Sequence, residues 1–213
     1  MFTQYVSLDT ELESIAWKSC NKQDVAHDAR HGLQVKKYAI KIAESVHADV
    51  LVAGTAGLFH DIIVYRKDDP RSLSAADDAA LATMGLLELT SFPEKKILPV
   101  VTAIREHSYS RGSQPSTLES AVVQDADRLE SLGAIGVMRV AALSGYMQKP
   151  LYCLDDPFCD NRQPGGRSAQ LDLFYSRFLT IPNKMHTAVG KELALQRVEF
   201  MQSFLDQLRM ELK

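Results

Sequence analysis

Apolar positions recur along most of this chain at intervals of three and four residues, and no segment alternates with a period of two. That spacing is the signature of helices rather than strands. Thr10 and Glu13 have the spacing of a capping box, with Leu12, Ile15 and Ala16 behind them, so a first helix is expected over about 9–20. A polar loop over 21–30 ends at His31. Leu33, Val35, Tyr38, Ile40, Ile42, Ala43 and Val46 then fill a second helix to about residue 47. The third, about 50–63, reads VLVAGTAGLFHDII and is apolar enough to be buried on most sides. The polar stretch VYRKDDPRSLS reads as a loop long enough to be functional.

A fourth helix is expected from near Ser74 and a fifth from Pro93 to Glu106-His107, with Pro99 kinking it or moving its start. After SYSRGSQPS a sixth helix spans about 116–132 and continues through 143, with Gly133 and Gly136 read as close packing rather than a break. Residues 148–167, rich in Pro, Gly and Asp, form a surface excursion. A short helix holds Leu171, Phe174, Tyr175 and Phe178, and a last one, about 186–212, repeats Val198, Met201, Leu205, Leu208 and Leu212. The fold class expected is all-α, as one domain.

Composition narrows the setting. At 213 residues and 46% hydrophobic content, the chain supports one core of ordinary size. A net charge of −3 with scattered basic residues argues against a nucleic-acid polymer as partner. Cys20, Cys153 and Cys159 include no CxxC and form no disulfide framework, which fits a reducing compartment. The N-terminus lacks a basic start followed by an apolar core, and no 18-residue apolar run occurs. The expectation is a soluble, cytoplasmic protein with no membrane partner.

Against this background His60-Asp61 stands out. An imidazole and a carboxylate in an apolar run cost several kcal/mol unless both are paired, and a bound cation pairs both at once. The plainer alternative is a core His bonded to a carbonyl beside an Asp that caps the helix end. His31 follows His27-Asp28, His107 closes helix five, and Gln124-Asp125-Ala126-Asp127-Arg128-Leu129 puts two acids into an apolar helix. Each has its own plain reading: helix-end neighbours for His31 and His107, an ion pair with Arg128 or Arg105 for Asp127. His27 and His47 carry no comparable spacing. Together the residues give His, about 30 residues, His-Asp, about 65 residues, Asp. Two imidazoles and two carboxylates without a thiolate suit Mn, Mg, Co, Ni or Fe.

The stretches AHDARH (26–31), LFHDI (58–62), VVQDADRLESLGAIGVMRV (122–140), DPF (156–158) and MHTAVGKELALQRVEFMQSFL (185–205) resemble the HD superfamily of metal-dependent phosphohydrolases, in its YedJ/YpgQ-like branch. The resemblance covers most of the chain from residue 26. It implies an HD-domain helical bundle with a metal-binding core over about 26–145 and a C-terminal helical extension over about 146–213. The implied metal ligands are His31, His60, Asp61 and Asp127, with Asp125 and Arg128 behind them. Two positions depart from the family pattern: Gln34 replaces a basic residue, and Val64 stands where an acid is common. Proton transfer then falls to Asp28, Glu106 or His107, alongside Asp61 at the metal.

The implied activity is divalent-metal-dependent hydrolysis of a phosphate ester or anhydride, with a nucleotide as the expected small phosphorylated substrate. Lys67, Arg66 and Arg71, in the loop after His60-Asp61, are the expected phosphate contacts. A homodimer is compatible with the sequence. Two other readings are a non-catalytic, metal-bound ligand-sensing module and an oxygenase with His107 as an added ligand. A cyclic-dinucleotide diesterase lacks its GYP motif here, and a (p)ppGpp hydrolase would carry HNM where ADRL is followed by ESL.

Overall fold

The computed structural model describes residues 2–19, 28–65, 69–108, 111–165 and 169–212, with side chains from Leu8 onward. Among them there is helix and no strand: α1 (Phe2–Ser19), α2 (Ala29–Val46), α3 (Val50–Phe59), α4 (Ala75–Glu88), α5 (Glu94–Glu106), α6 (Leu118–Glu130), α7 (Gly133–Met147), α8 (Asp172–Ser176) and α9 (Ala188–Glu211). Short 3₁₀ turns cover Pro70–Leu73 and Phe178–Lys184. The chain divides into two compact units, one up to Asp127 and one from Arg128.

In the first unit α2 lies on α3, α3 on α5, and α4 on α5. The core is built from Leu12, Val52, Phe59, Leu87, Val100, Ile104 and Val123, among others. Helix α3 is apolar on every side, as a helix enclosed by others must be. It starts where the Asp49 carboxylate accepts from Leu51 N and Val52 N, each at 3.1 Å. Helix α2 starts the same way, with Asp28 accepting from Arg30 N at 2.8 Å and His31 N at 3.4 Å. A Cβ on Gly32 would stand 2.6 Å from the Leu58 carbonyl oxygen. The missing side chain is what lets the start of α2 approach the end of α3.

Several expectations are corrected. Helix α1 begins at Phe2, not near residue 9, so Thr10 sits inside it rather than at its N-terminus. Leu8 joins Leu12 and Ala16 on its buried stripe, extending the apolar face one turn upstream. Helix α3 ends at Phe59 rather than 63. His60 Nδ1 takes the Gly57 carbonyl at 2.8 Å, the acceptor an unbroken helix would offer Asp61 N, and Ile62 N turns instead to Phe59 O at 3.1 Å. Helix six is not continuous through 143. Gly133 has φ +70°, left-handed backbone that ends one helix and opens the next. The close-packing reading does hold at Gly136, where a Cβ would run into the Ser131 carbonyl. Pro99 lies inside α5 and does not move its start.

In the second unit α7 and α9 pack together. The buried face of α9 carries Gly190, Ala194, Val198, Met201 and Leu205. The stretch between α7 and α8 is tied down by Asp172, fully buried, whose carboxylate accepts from the Arg162 guanidinium at 2.7 and 2.6 Å and from Gly165 N at 2.9 Å.

Candidate metal centre

His31 projects from the first turn of α2, His60 and Asp61 from the chain just past α3, His107 from the chain just past α5, and Asp127 from α6. All five belong to the first unit. His31 Nε2 and His60 Nε2 are 3.1 Å apart. Asp127 Oδ1 lies 3.5 Å from the former and 3.6 Å from the latter. Asp61 Oδ2 lies 3.8 and 3.5 Å from the same two nitrogens, and its other oxygen is 3.4 Å from His107 Nε2. The imidazoles of His60 and His107 meet edge to face at 4.9 Å.

Local hydrogen bonds decide which nitrogens face inward. His60 Nδ1 donates to Gly57 O at 2.8 Å and His107 Nδ1 to Ile104 O at 2.6 Å, so both rings turn Nε2 towards the carboxylates. Both imidazoles are buried, while Asp61 and Asp127 keep partial access to solvent. Burial opposes the charged form of His60, but the Asp61 charge and hydrogen bonds to Asp127 and Asp61 outweigh it and push its pKa up to about 10. Burial likewise favours the neutral carboxyl of Asp61 and Asp127. The His60 charge and the imidazole hydrogen bonds overcome this and hold both well below the usual carboxylate range.

This donor set fits a hard or borderline divalent cation. Ligands at ~2.1 Å on an octahedral ion stand roughly 3 Å apart, close to the 3.1–3.8 Å separations found here. His31, His60 and Asp127 form one group able to hold an ion, and His60, Asp61 and His107 a second that shares His60.

The other sequence candidates fall elsewhere. Asp125 is fully buried and is not in either group. Arg128 donates to the Lys184 carbonyl at 2.6 Å. Asp28 is occupied as the α2 cap and by the Arg30 guanidinium at 2.5 Å. Arg71 is exposed, paired with Asp69 at 2.8 Å and lying over the Tyr65 ring at 4.5 Å. Arg66 and Lys67, like His27 and Cys20, lie outside the described residues. Arg105 pairs with Asp77 at 3.1 Å, which removes it as the expected partner of Asp127. Sequence reasoning assigned no part to Gly32, whose bare Cα lets His31 reach His60, or to the side chain of Gln124. The only signals were a glycine next to a candidate ligand and a glutamine one turn before another.

Residues 28–132 match the HD domain, about half of the chain. The chain is 26% identical to the protein YpgQ of Bacillus subtilis over 187 residues, 87% of this chain and 84% of the relative. It is 27% identical to protein L803 of Acanthamoeba polyphaga mimivirus over 191 residues, 82% and 76% of the two chains. Among solved structures, Bacillus subtilis YpgQ in complex with ADP superposes with a TM-score of 0.74 at 26% identity, over 95% of this chain and 96% of the other. Residues 28–132 of the chain thus carry an HD domain, the domain of a superfamily of metal-dependent hydrolases. The chain's likeness runs to the YpgQ branch of that superfamily.

Proposed function

We propose that this protein is a divalent-metal-dependent phosphohydrolase that cleaves a phosphate ester or anhydride of a nucleotide. The observation that carries this reading is the convergence of His31, His60, Asp61 and Asp127, in which the Nε2 atoms of His31 and His60 lie 3.1–3.8 Å from each other and from both carboxylates, with His107 on the other oxygen of Asp61. When bound, a divalent ion supplies Lewis acidity, which acidifies water and offsets charge on a phosphoryl oxygen. The protein holds its donors in register through the Gly57 carbonyl behind His60 and the α2 cap behind His31. His107 serves as the proton-transfer group, its Nδ1 proton engaged by Ile104 O and its Nε2 turned towards Asp61. Asp28 is a poorer choice, because both its oxygens already accept hydrogen bonds at the start of α2.

The nucleotide part of the reading is supported by ADP bound to Bacillus subtilis YpgQ. Lys67, Arg66 and Arg71 take the substrate phosphates in this account, since the loop that carries them follows directly on Asp61. Arg71 gives the weaker contact because Asp69 already holds its guanidinium. The test is a phosphate- and pyrophosphate-release panel over nucleoside mono-, di- and triphosphates and sugar phosphates with Mn²⁺, Mg²⁺, Co²⁺ and Ni²⁺. Turnover of nucleotides that a chelator abolishes and added metal restores is expected. Saturable nucleotide binding without turnover under every metal would instead favour a ligand-sensing module, the reading suggested by Gln34 and Val64.

A further inference from the structure

We infer that Gln124 is the positioning residue for His107: its single amide nitrogen clips both ends of the segment that carries the imidazole. This rests on the reading above, in which His107 transfers the proton. Helix α5 ends at Glu106, and the last carbonyls of a helix have no partner within it. The His107 ring does not supply one for Glu106, because its Nδ1 turns back to Ile104 O at 2.6 Å. The donor comes from α6. Gln124 Nε2 donates to Glu106 O at 2.8 Å and to Ser113 O at 3.0 Å. A primary amide has two N–H groups, and these two bonds use both.

The two carbonyls flank His107 and the loop that follows it, so one side chain fixes where that loop leaves α5 and where it returns. Gln124 is 1% exposed, so water has no easy route to replace it. It stands one turn before Asp127 on α6, and the same rigid element thereby sets the distance between Asp127 and the proton-transfer group. On the outer side Glu106 Oε2 accepts from Ser116 N at 2.9 Å and braces the loop again.

None of the four proposed ligands lies on α5 or the segment after it. Loss of the amide therefore displaces His107 and leaves the metal ligands in place, which separates this role from general support of the fold. Two variants test it: Gln124→Met, which keeps the length and removes the donors, and Gln124→Glu, which keeps the shape and turns donors into acceptors. On the best nucleotide of the panel, kcat is expected to fall about ten- to a hundredfold, the scale of a misplaced catalytic group. KM and the Mn²⁺ dissociation constant should stay within about twofold, while amide exchange at His107, Ser108 and 111–113 speeds up by roughly tenfold.

In a double-mutant cycle, adding Gln124→Met to His107→Ala should cost less than about twofold in kcat, because the group it positions is already gone. Additive losses, unchanged kcat, or metal lost together with kcat in both Gln124 variants would overturn the inference. If His107→Ala alone keeps wild-type kcat, the proton-transfer role falls and the inference with it. If His107→Ala is inactive while both Gln124 variants are fully active, only the inference falls.

Discussion

The Nε2 atoms of His31 and His60 face one another at 3.1 Å, although 29 residues separate them in the chain. His60 has committed its Nδ1 proton to the Gly57 carbonyl, so what lies between the two Nε2 atoms is a proton or a cation. His60→Ala is expected to abolish stoichiometric Mn²⁺ while far-ultraviolet circular dichroism stays near wild type. The buried truncation should cost about 1–3 kcal/mol in stability. Full metal occupancy in this variant, measured by elemental analysis, would remove His60 from the ligand set.

The two acids of α6 should separate cleanly. Residues two apart on a helix point about 200° apart, and it is Asp127, not Asp125, whose oxygen lies 3.5 and 3.6 Å from the two imidazoles. Asp127→Asn should lose Mn²⁺ binding. Asp125→Asn, at a fully buried position, should keep the metal and lower the melting temperature. A metal titration giving the opposite ranking would move the ligand role to Asp125.

Protons and metal compete for the same nitrogens. The His60 pKa, raised from 6.5 to about 10, contributes stability to the metal-free fold that is complete below about pH 6.5 and is lost as pH rises through about 10. The lowered Asp61 and Asp127 contribute stability that is present above pH 3.8 and is lost on acidification through their depressed values. The metal-free protein should therefore melt at lower temperature at pH 9.5 than at pH 6.5. Metal needs the neutral imidazole, so binding at pH 7.5 should expel about one proton and tighten by up to tenfold per pH unit. Calorimetry in two buffers of different ionisation enthalpy counts that proton; a count of zero would contradict the charged His60.

Gly32→Ala tests how the site is assembled without touching a donor. The added Cβ meets backbone, the Leu58 carbonyl, at 2.6 Å, and backbone cannot rotate away. Helix α2 has to shift and carry His31 away from His60. We expect a destabilisation of about 1–3 kcal/mol and at least about tenfold weaker Mn²⁺ binding. Wild-type affinity and melting temperature would show that the start of α2 has room to adjust.

The fold was largely legible because a helical period is a local signal. Apolar spacing locates α2 to α5 and α9 closely. The breaks it misplaced depend on atoms that carry no hydrophobic signal. The end of α3 is set by the His60 ring taking the Gly57 carbonyl, and the α6–α7 break by a left-handed Gly133. The candidate site was legible as a set of residue types, since His60-Asp61 in an apolar run calls for a partner. How those residues meet was not. The approach of α2 to α3 runs through a bare glycine, and the brace on His107 runs through a glutamine whose partners are backbone carbonyls, which every sequence supplies.

The most direct measurement is anomalous diffraction from a crystal of this protein grown with Mn²⁺. A peak is expected within about 2.5 Å of His31 Nε2, His60 Nε2, an oxygen of Asp61 and an oxygen of Asp127. A protein that binds Mn²⁺ in solution yet shows its peak away from these four side chains would contradict that placement.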